Sequence, residues 1–358
     1  MNKSVKRKTG IELLRIFAIL SIIILHYLNA GIGGGMNYIH GTMGVLISRT
    51  LLALSFCAVN LFMMISGFFL STNGNRYFSK VVVLLFEAAF FRAIIYILYS
   101  VLKQENVTVS GILSAVFSFG YFIVFYSIIY LVSPLINIGL DRLDKANSKK
   151  TISILFVLFS IIPALAAVLR SYRIFDSDWM GISTITREGN FEGYTIVQFF
   201  LCYVIGWYIR HWKTEKVNRT KVFALFCADW IALVVWGYFD WKSAYTYDNP
   251  LVILEAALLL LICKDVEFYS RTVNELATSG FTCYLVHAVF LNYIWIEKYA
   301  SQSWYVMLAH VLASSVGIYL ASYIIHKVYR VCFGWLENLV SPAIDGTIDL
   351  AVHPMKSE

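Results

Sequence analysis

The segment Gly10-Ile-Glu-Leu-Leu-Arg15-Ile-Phe-Ala-Ile-Leu-Ser-Ile-Ile-Ile-Leu-His26-Tyr27 decides what kind of protein this is. Apart from Glu12, Arg15 and His26 it is almost entirely apolar. As a helix it would cover about 27 Å of the roughly 30 Å hydrocarbon core of a bilayer. The whole chain shares this character: of 358 residues, 59% are hydrophobic and 14% charged, with mean hydropathy +0.69. A water-soluble domain carries about 25% charged residues, and so little polar surface cannot clothe a soluble body of this size. Intrinsic disorder, a disulfide-rich secreted module and collagen-like repeats are excluded on the same ground. The expected fold is all-α, a polytopic integral membrane protein.

Working outward from that helix, ten apolar stretches are candidate spans: 11–30, 45–70, 81–102, 111–138, 151–170, 193–210, 221–240, 250–263, 276–296 and 304–326. The loops between them are brief, so residues 1–330 are expected to form one transmembrane domain and 331–358 a short cytoplasmic tail. Orientation follows from the basic residues, which favour cytoplasmic loops. With the N-terminus inside, only Lys103, Arg170, Arg173, Arg187, Lys242 and Lys298 face outward. Arg15, Arg49 and Arg92 lie in or at the ends of spans, and the remaining 20 of 29 basic residues are cytoplasmic. The net charge of +7 therefore orients the chain in a lipid bilayer, and no nucleic-acid partner is expected. The first span is too long and too informative to read as a cleaved signal peptide. Six cysteines are scattered through or beside apolar segments without metal-ligand spacing, so no metal is expected and the thiols read as small hydrophobes.

An ionisable group inside a span is costly and is by default a functional hypothesis. Glu12 and Arg15 stand at i,i+3, on one face and able to pair. Eleven residues separate Arg15 from His26, three turns plus about 20°, so they too share a face, with His26 about 16 Å further toward the outside. The plainer alternative makes Glu12 and Arg15 an interfacial anchor and His26 a hydrogen-bonding group inside a helix bundle.

Arg15 followed by ten residues and His26, in an N-terminal helix preceded by an acid, resembles the signature of the membrane acyltransferase 3 family. Asn60-Leu-Phe-Met-Met-Ile-Ser66-Gly67-Phe68-Phe-Leu70 is similar to its second-helix motif. Ser133-Pro134-Leu-Ile-Asn137, Gly193-Tyr194 and Tyr284-Leu285-Val286-His287 follow in the family's order. The branch resembled is that of surface-polysaccharide O-acetyltransferases. Two departures stand out. Where many members carry Arg-x-x-Arg after the second helix, this chain has Arg76 and Lys80, a basic pair without the bidentate geometry of two guanidinium groups. The extracytoplasmic hydrolase-like domain that some members append is also missing from these 358 residues. Acceptor transfer would then take place within the membrane domain or through a partner protein.

The resemblance implies a cytoplasmic acyl-CoA donor, acetyl-CoA for this branch, and the hydroxyl of a cell-surface or lipid-linked glycan as acceptor. It also implies a location in the cell membrane of a bacterium. Arg15, Arg76 and Lys80 are then the candidates for the donor's phosphates, through charge-assisted hydrogen bonds. His26 is the candidate catalytic residue, as general base or as acyl carrier, with Glu12 orienting Arg15. The 16 Å separation is comparable with an extended pantetheine arm. His287 is read either as lining the acceptor site or as a structural hydrogen-bonder. Trp179 and Arg187 belong to the longest outward loop, 170–192, whose charged and aromatic residues suit glycan binding. Asn60, Ser66 and Gly67 read as helix-packing residues, Arg92 as half of an ion pair with Glu87, and Tyr121, Tyr126 and Tyr130 as packing or interfacial aromatics. A secondary transporter or glycan exporter is the other class that ten spans with buried Arg and His would suit. A non-catalytic scaffold leaves the shared face of Arg15 and His26 unexplained.

Overall fold

The structure is a computed structural model and describes residues 9–29, 31–72, 76–174 and 193–345. Among them the regular structure is helical: α1 (Thr9–Leu28), α2 (Thr42–Leu70), α3 (Phe78–Leu102), α4 (Val109–Phe117), α5 (Tyr121–Asp141), α6 (Lys145–Phe156) and α7 (Ile162–Ser171) come first. They are followed by α8 (Ile196–Trp212), α9 (Arg219–Phe239), α10 (Trp241–Ala244), α11 (Pro250–Cys263), α12 (Arg271–Leu276), α13 (Gly280–Leu291), α14 (Ile296–Ala300) and α15 (Trp304–Asp345). Among the described residues, seven helical rods, one of them α6 and α7 joined through a π-helical turn, are long and apolar enough to cross a membrane. α11 is apolar but shorter, and α8 has 17 residues. The fold is that of a polytopic membrane protein.

Two of the expected spans differ in detail. The stretch 111–138 is interrupted at 118–120, where Gly120 takes an extended conformation, and α4 is a separate short helix whose N-cap, Thr108, accepts the Gly111 N–H. The stretch 276–296 is broken twice. Thr278 and Ser279 turn their hydroxyls back on the carbonyls of Glu275 and Leu276, ending α12 in a 3₁₀ turn. Further on, Trp295 adopts φ 52° before α14. Past 331, α15 runs on to Asp345, with the ring of Phe333 4.6 Å from that of Phe90.

α1 and α2 are the enclosed helices, α2 most of all: 78% of its apolar window is buried, against 11% for the α6–α7 rod. Around them, side chains such as Leu102, Phe239 and Val331 point outward and exposed, the apolar surface that a lipid solvent requires. α2 packs closely on α1, α8 and α11. The α2–α8 approach depends on two glycines: a Cβ on Gly67 would stand 2.1 Å from the Tyr203 carbonyl oxygen, and one on Gly206 2.0 Å from that of Met64. Small residues let membrane helices meet backbone to backbone.

The cytoplasmic end of α2 is tied to α5 by the Ser133-Pro134-Leu-Ile-Asn137 segment. Pro134 has no N–H for the carbonyl of Tyr130, four residues back. The Ser133 hydroxyl supplies one instead, donating to Tyr130 O at 2.7 Å. That same hydroxyl accepts from Arg76 Nε at 2.7 Å. Arg76 and Asn137 both donate to Leu70 O, at 2.7 and 3.0 Å, satisfying a carbonyl in the last turn of α2 that has no helical partner. Tyr203 of α8 completes the set by donating to Asn137 Oδ1 at 2.8 Å.

Two expectations follow. Gly67→Ala or Gly206→Ala lowers stability in detergent by about 1–3 kcal/mol, while Gly139→Ala, where a Cβ meets nothing within 4 Å, leaves the melting temperature unchanged; equal melting temperatures for all three would contradict the packing argument. Arg76→Met costs about 2–3 kcal/mol through its lost charge-assisted bonds, and unfolding at the wild-type temperature would show that Arg76 is not structural.

Candidate active site

Along α1 the residues Arg15, Ile19 and Ile22 line one cavity of about 380 Å³. Their spacing of four and three continues by four more to His26 on the same face, although His26 itself is not part of the cavity wall. Its other walls come from α2 (Phe62, Ser66), α3 (Lys80, Leu84), α5 (Phe122, Tyr126) and α13 (Phe281, Tyr284).

Positive charge gathers at the cytoplasmic end. Arg15 donates to Glu12 Oε1 at 2.8 Å, and its side chain keeps 34% of its exposure while that of Glu12 keeps 5%. Glu12 thus holds the guanidinium from behind. The ring of Phe69 lies 5.4 Å below it, and Phe68 does the same for Arg210 at 5.0 Å. The aromatic pair after Ser66-Gly67 therefore seats two guanidinium groups. Lys80 lines the cavity with its ammonium 4.9 Å from the Tyr130 ring, and it is close enough to Arg15 and Arg76 to feel both charges. Arg76 stands apart in role: it is 3% exposed, committed to Ser133 and Leu70, and does not line the cavity.

Away from the cations, Tyr284 lines the cavity and approaches His287, which like His26 lies outside its wall. Its ring is 6.2 Å from that of His287, and the imidazoles of His287 and His26 are stacked, 5.1 Å between centroids and 27° between planes. His287 is 4% exposed and its Nδ1 lies 3.0 Å from the carbonyl of Cys283. A carbonyl only accepts, so Nδ1 carries the proton and Nε2 presents its lone pair. Neither His287 Nε2 nor His26 Nδ1, both buried, finds a hydrogen-bond partner among the described residues. Buried polar atoms are normally satisfied, so these two nitrogens stand out as an unsatisfied pair.

The remaining sequence candidates are distributed as follows. Trp179 and Arg187 lie outside the described residues. Glu87 accepts from Thr282 at 2.6 Å, and Thr282 also bonds His326 at 2.8 Å, linking α3, α13 and α15. Among the described residues, the Nε of Arg92 is buried without a partner. Asn60 and Gln198 both donate to the carbonyl of Tyr247, at 2.8 and 2.7 Å, a packing role. Of the tyrosine row, Tyr126 lines the cavity, Tyr130 underlies Arg76 and Lys80, and Tyr121 is exposed. The stacking of His26 on His287 has no local signal, since 261 positions separate them.

A family model described as an acyltransferase domain, of the acyltransferase 3 type, matches residues 8–327. No curated protein and no solved structure matches the chain. The match takes in α1 with Glu12, Arg15 and His26, the second-helix motif and His287, and on that extent the chain belongs to the acyltransferase 3 family of membrane acyltransferases.

Proposed function

We propose that this membrane acyltransferase moves an acetyl group from cytoplasmic acetyl-CoA to a hydroxyl of a cell-surface or lipid-linked glycan, working in the cell membrane. The observation that carries the reading is the cavity with cations at one end and, at the other, a tyrosine against two stacked imidazoles. Arg15 and Lys80 hold the donor's phosphates, Arg15 with its fork kept in place by Glu12. The pantetheine arm runs between Ile19, Ile22 and the Phe122 and Tyr284 rings, and the thioester comes to rest at His26. Arg76 contributes positive potential from behind Tyr130.

His26 takes the proton of the acceptor hydroxyl as its oxygen attacks the thioester carbonyl. The carbon–sulfur bond breaks, and the leaving thiolate recovers the proton from the imidazolium, giving free CoA and the acetyl ester. His287, with its tautomer set by the Cys283 carbonyl, braces the His26 ring and offers Nε2 to the acceptor. The enclosed site keeps water from the thioester.

The test is transfer of labelled acetyl from acetyl-CoA to a hydroxylated glycan by the purified, reconstituted chain. His26→Ala is expected to lose transfer by about 10²–10⁴-fold while still inserting and binding acetyl-CoA; transfer at the wild-type rate would contradict the role of His26. Arg15→Gln and Lys80→Gln are expected to raise the KM for acetyl-CoA by about tenfold or more with little change in kcat. An unchanged KM in both would place the phosphates elsewhere.

A further inference from the structure

A second cavity, of about 660 Å³, opens at the outer end of the bundle. Its walls include Leu25 and Asn29 of the first helix and its cap, Arg49 of α2, and Trp241 and Lys242 of α10. Two cations thus share one cavity on the face where basic residues are scarce. Neither has a carboxylate partner among the described residues. Arg49 donates to the Gly237 carbonyl, which fixes one arm of its fork, while its Nε is buried without a partner. Tyr245 donates to the Arg49 carbonyl at 3.0 Å and steadies the backbone there. Lys242 is exposed, its ammonium 5.8 Å from the Trp241 ring. Asp240, the acid nearest to it in sequence, is occupied by Ser243, whose hydroxyl it accepts at 2.5 Å. Asn29 has its Oδ1 taken by the Gly31 N–H at 2.7 Å, which leaves its amide N–H groups to donate.

Arg49, Lys242 and the Asn29 amide present donors; Asn37 and the Tyr245 hydroxyl are the other polar groups on the wall, and the two cations give the cavity a positive charge that calls for an anion with several oxygens. The rest of the wall is apolar and aromatic, with Leu52, Phe56 and Trp241, so the anion would arrive on an apolar carrier. Leu25 and Asn29 stand one residue before and three after His26 on the same helix, so the cavity lies within about one helical turn of the reactive imidazole.

We infer that this cavity binds the phosphate of a lipid-linked acceptor and thereby holds the attached sugar against His26. The inference rests on the glycan acceptor proposed above and supplies the group by which that acceptor is recognised. Phosphate at Arg49 and Lys242 neutralises two charges on the wall of one cavity. It also sets the sugar at the outer side of the histidine pair, opposite the cavity through which the donor arrives.

The experiment is equilibrium binding of farnesyl phosphate to the full chain in phosphatidylcholine nanodiscs, with glucose 1-phosphate and phosphatidylglycerol in parallel and acetyl-CoA binding and acetyl transfer measured on the same samples. Saturable binding of farnesyl phosphate is expected, weakened about tenfold or more by Arg49→Gln and by Lys242→Gln, with acetyl-CoA affinity unchanged. Because Arg49 also holds a backbone carbonyl, Arg49→Lys and the exposed Lys242→Gln carry the test if Arg49→Gln unfolds. Glucose 1-phosphate binding as tightly as farnesyl phosphate would keep the phosphate site and assign it a soluble phospho-sugar. No saturable phosphate binding, binding indifferent to both substitutions, or equal competition by phosphatidylglycerol would overturn the inference. Loss of phosphate binding with acetyl transfer intact would count against this site alone; intact binding of both ligands without transfer would count against the proposed reaction.

Discussion

A helix surrounded by lipid can carry Glu12, Arg15 and His26 only if the face that holds them is walled off from hydrocarbon. That constraint organises the molecule. α1 is wrapped by α2, α13 and α15, and the wall between them opens along the line from Arg15 through Ile19 and Ile22 toward His26. α2 can close that wall because Gly67 and Gly206 let it sit against α8 at backbone distance. Its cytoplasmic end is kept from fraying by Arg76 and Asn137 on the Leu70 carbonyl. Many polar groups of the bundle interior satisfy one another, while buried atoms of Asp229, Glu255, His26 and His287 have no partner among the described residues.

In the proposed reaction the two cavities divide the work between the two sides of a membrane. The inner one is bounded by Arg15 and Lys80, where a phosphorylated donor would enter; the outer one by Arg49 and Lys242. His26 lies on the helix that reaches both. In the proposed reaction that common element lets a cytoplasmic thioester meet an outward hydroxyl without either substrate crossing the bilayer.

The fold class and the stripe on α1 were legible because both are local: apolar length and an eleven-residue spacing depend on no other segment. The breaks at 118–120 and 277–279 were not, because an apolar window ignores a glycine in extended backbone and hydroxyls of Thr278 and Ser279 that compete for helical carbonyls. The role of Arg76 was hidden for a different reason. Its basic neighbours mark it as a phosphate ligand, whereas its bonds to Ser133 and Leu70 come from residues 57 and 6 positions away. The Ser133-Pro134 pair explains itself only in three dimensions, where the carbonyl released by proline recruits the serine and the serine recruits the arginine. His287 was visible as a polar residue in an apolar run, but its stacking on His26 is a tertiary fact.

The account turns on one claim: the donor lies along α1 with its phosphates at Arg15 and its acyl carbon at the histidine pair. The direct measurement is an electron cryomicroscopy structure of the chain with a non-hydrolysable acetyl-CoA analogue. The account predicts phosphate density within hydrogen-bonding distance of Arg15 and Lys80 and the acyl group against His26 and His287. Density for the nucleotide end at the outer cavity, or an acyl group remote from both imidazoles, would contradict it.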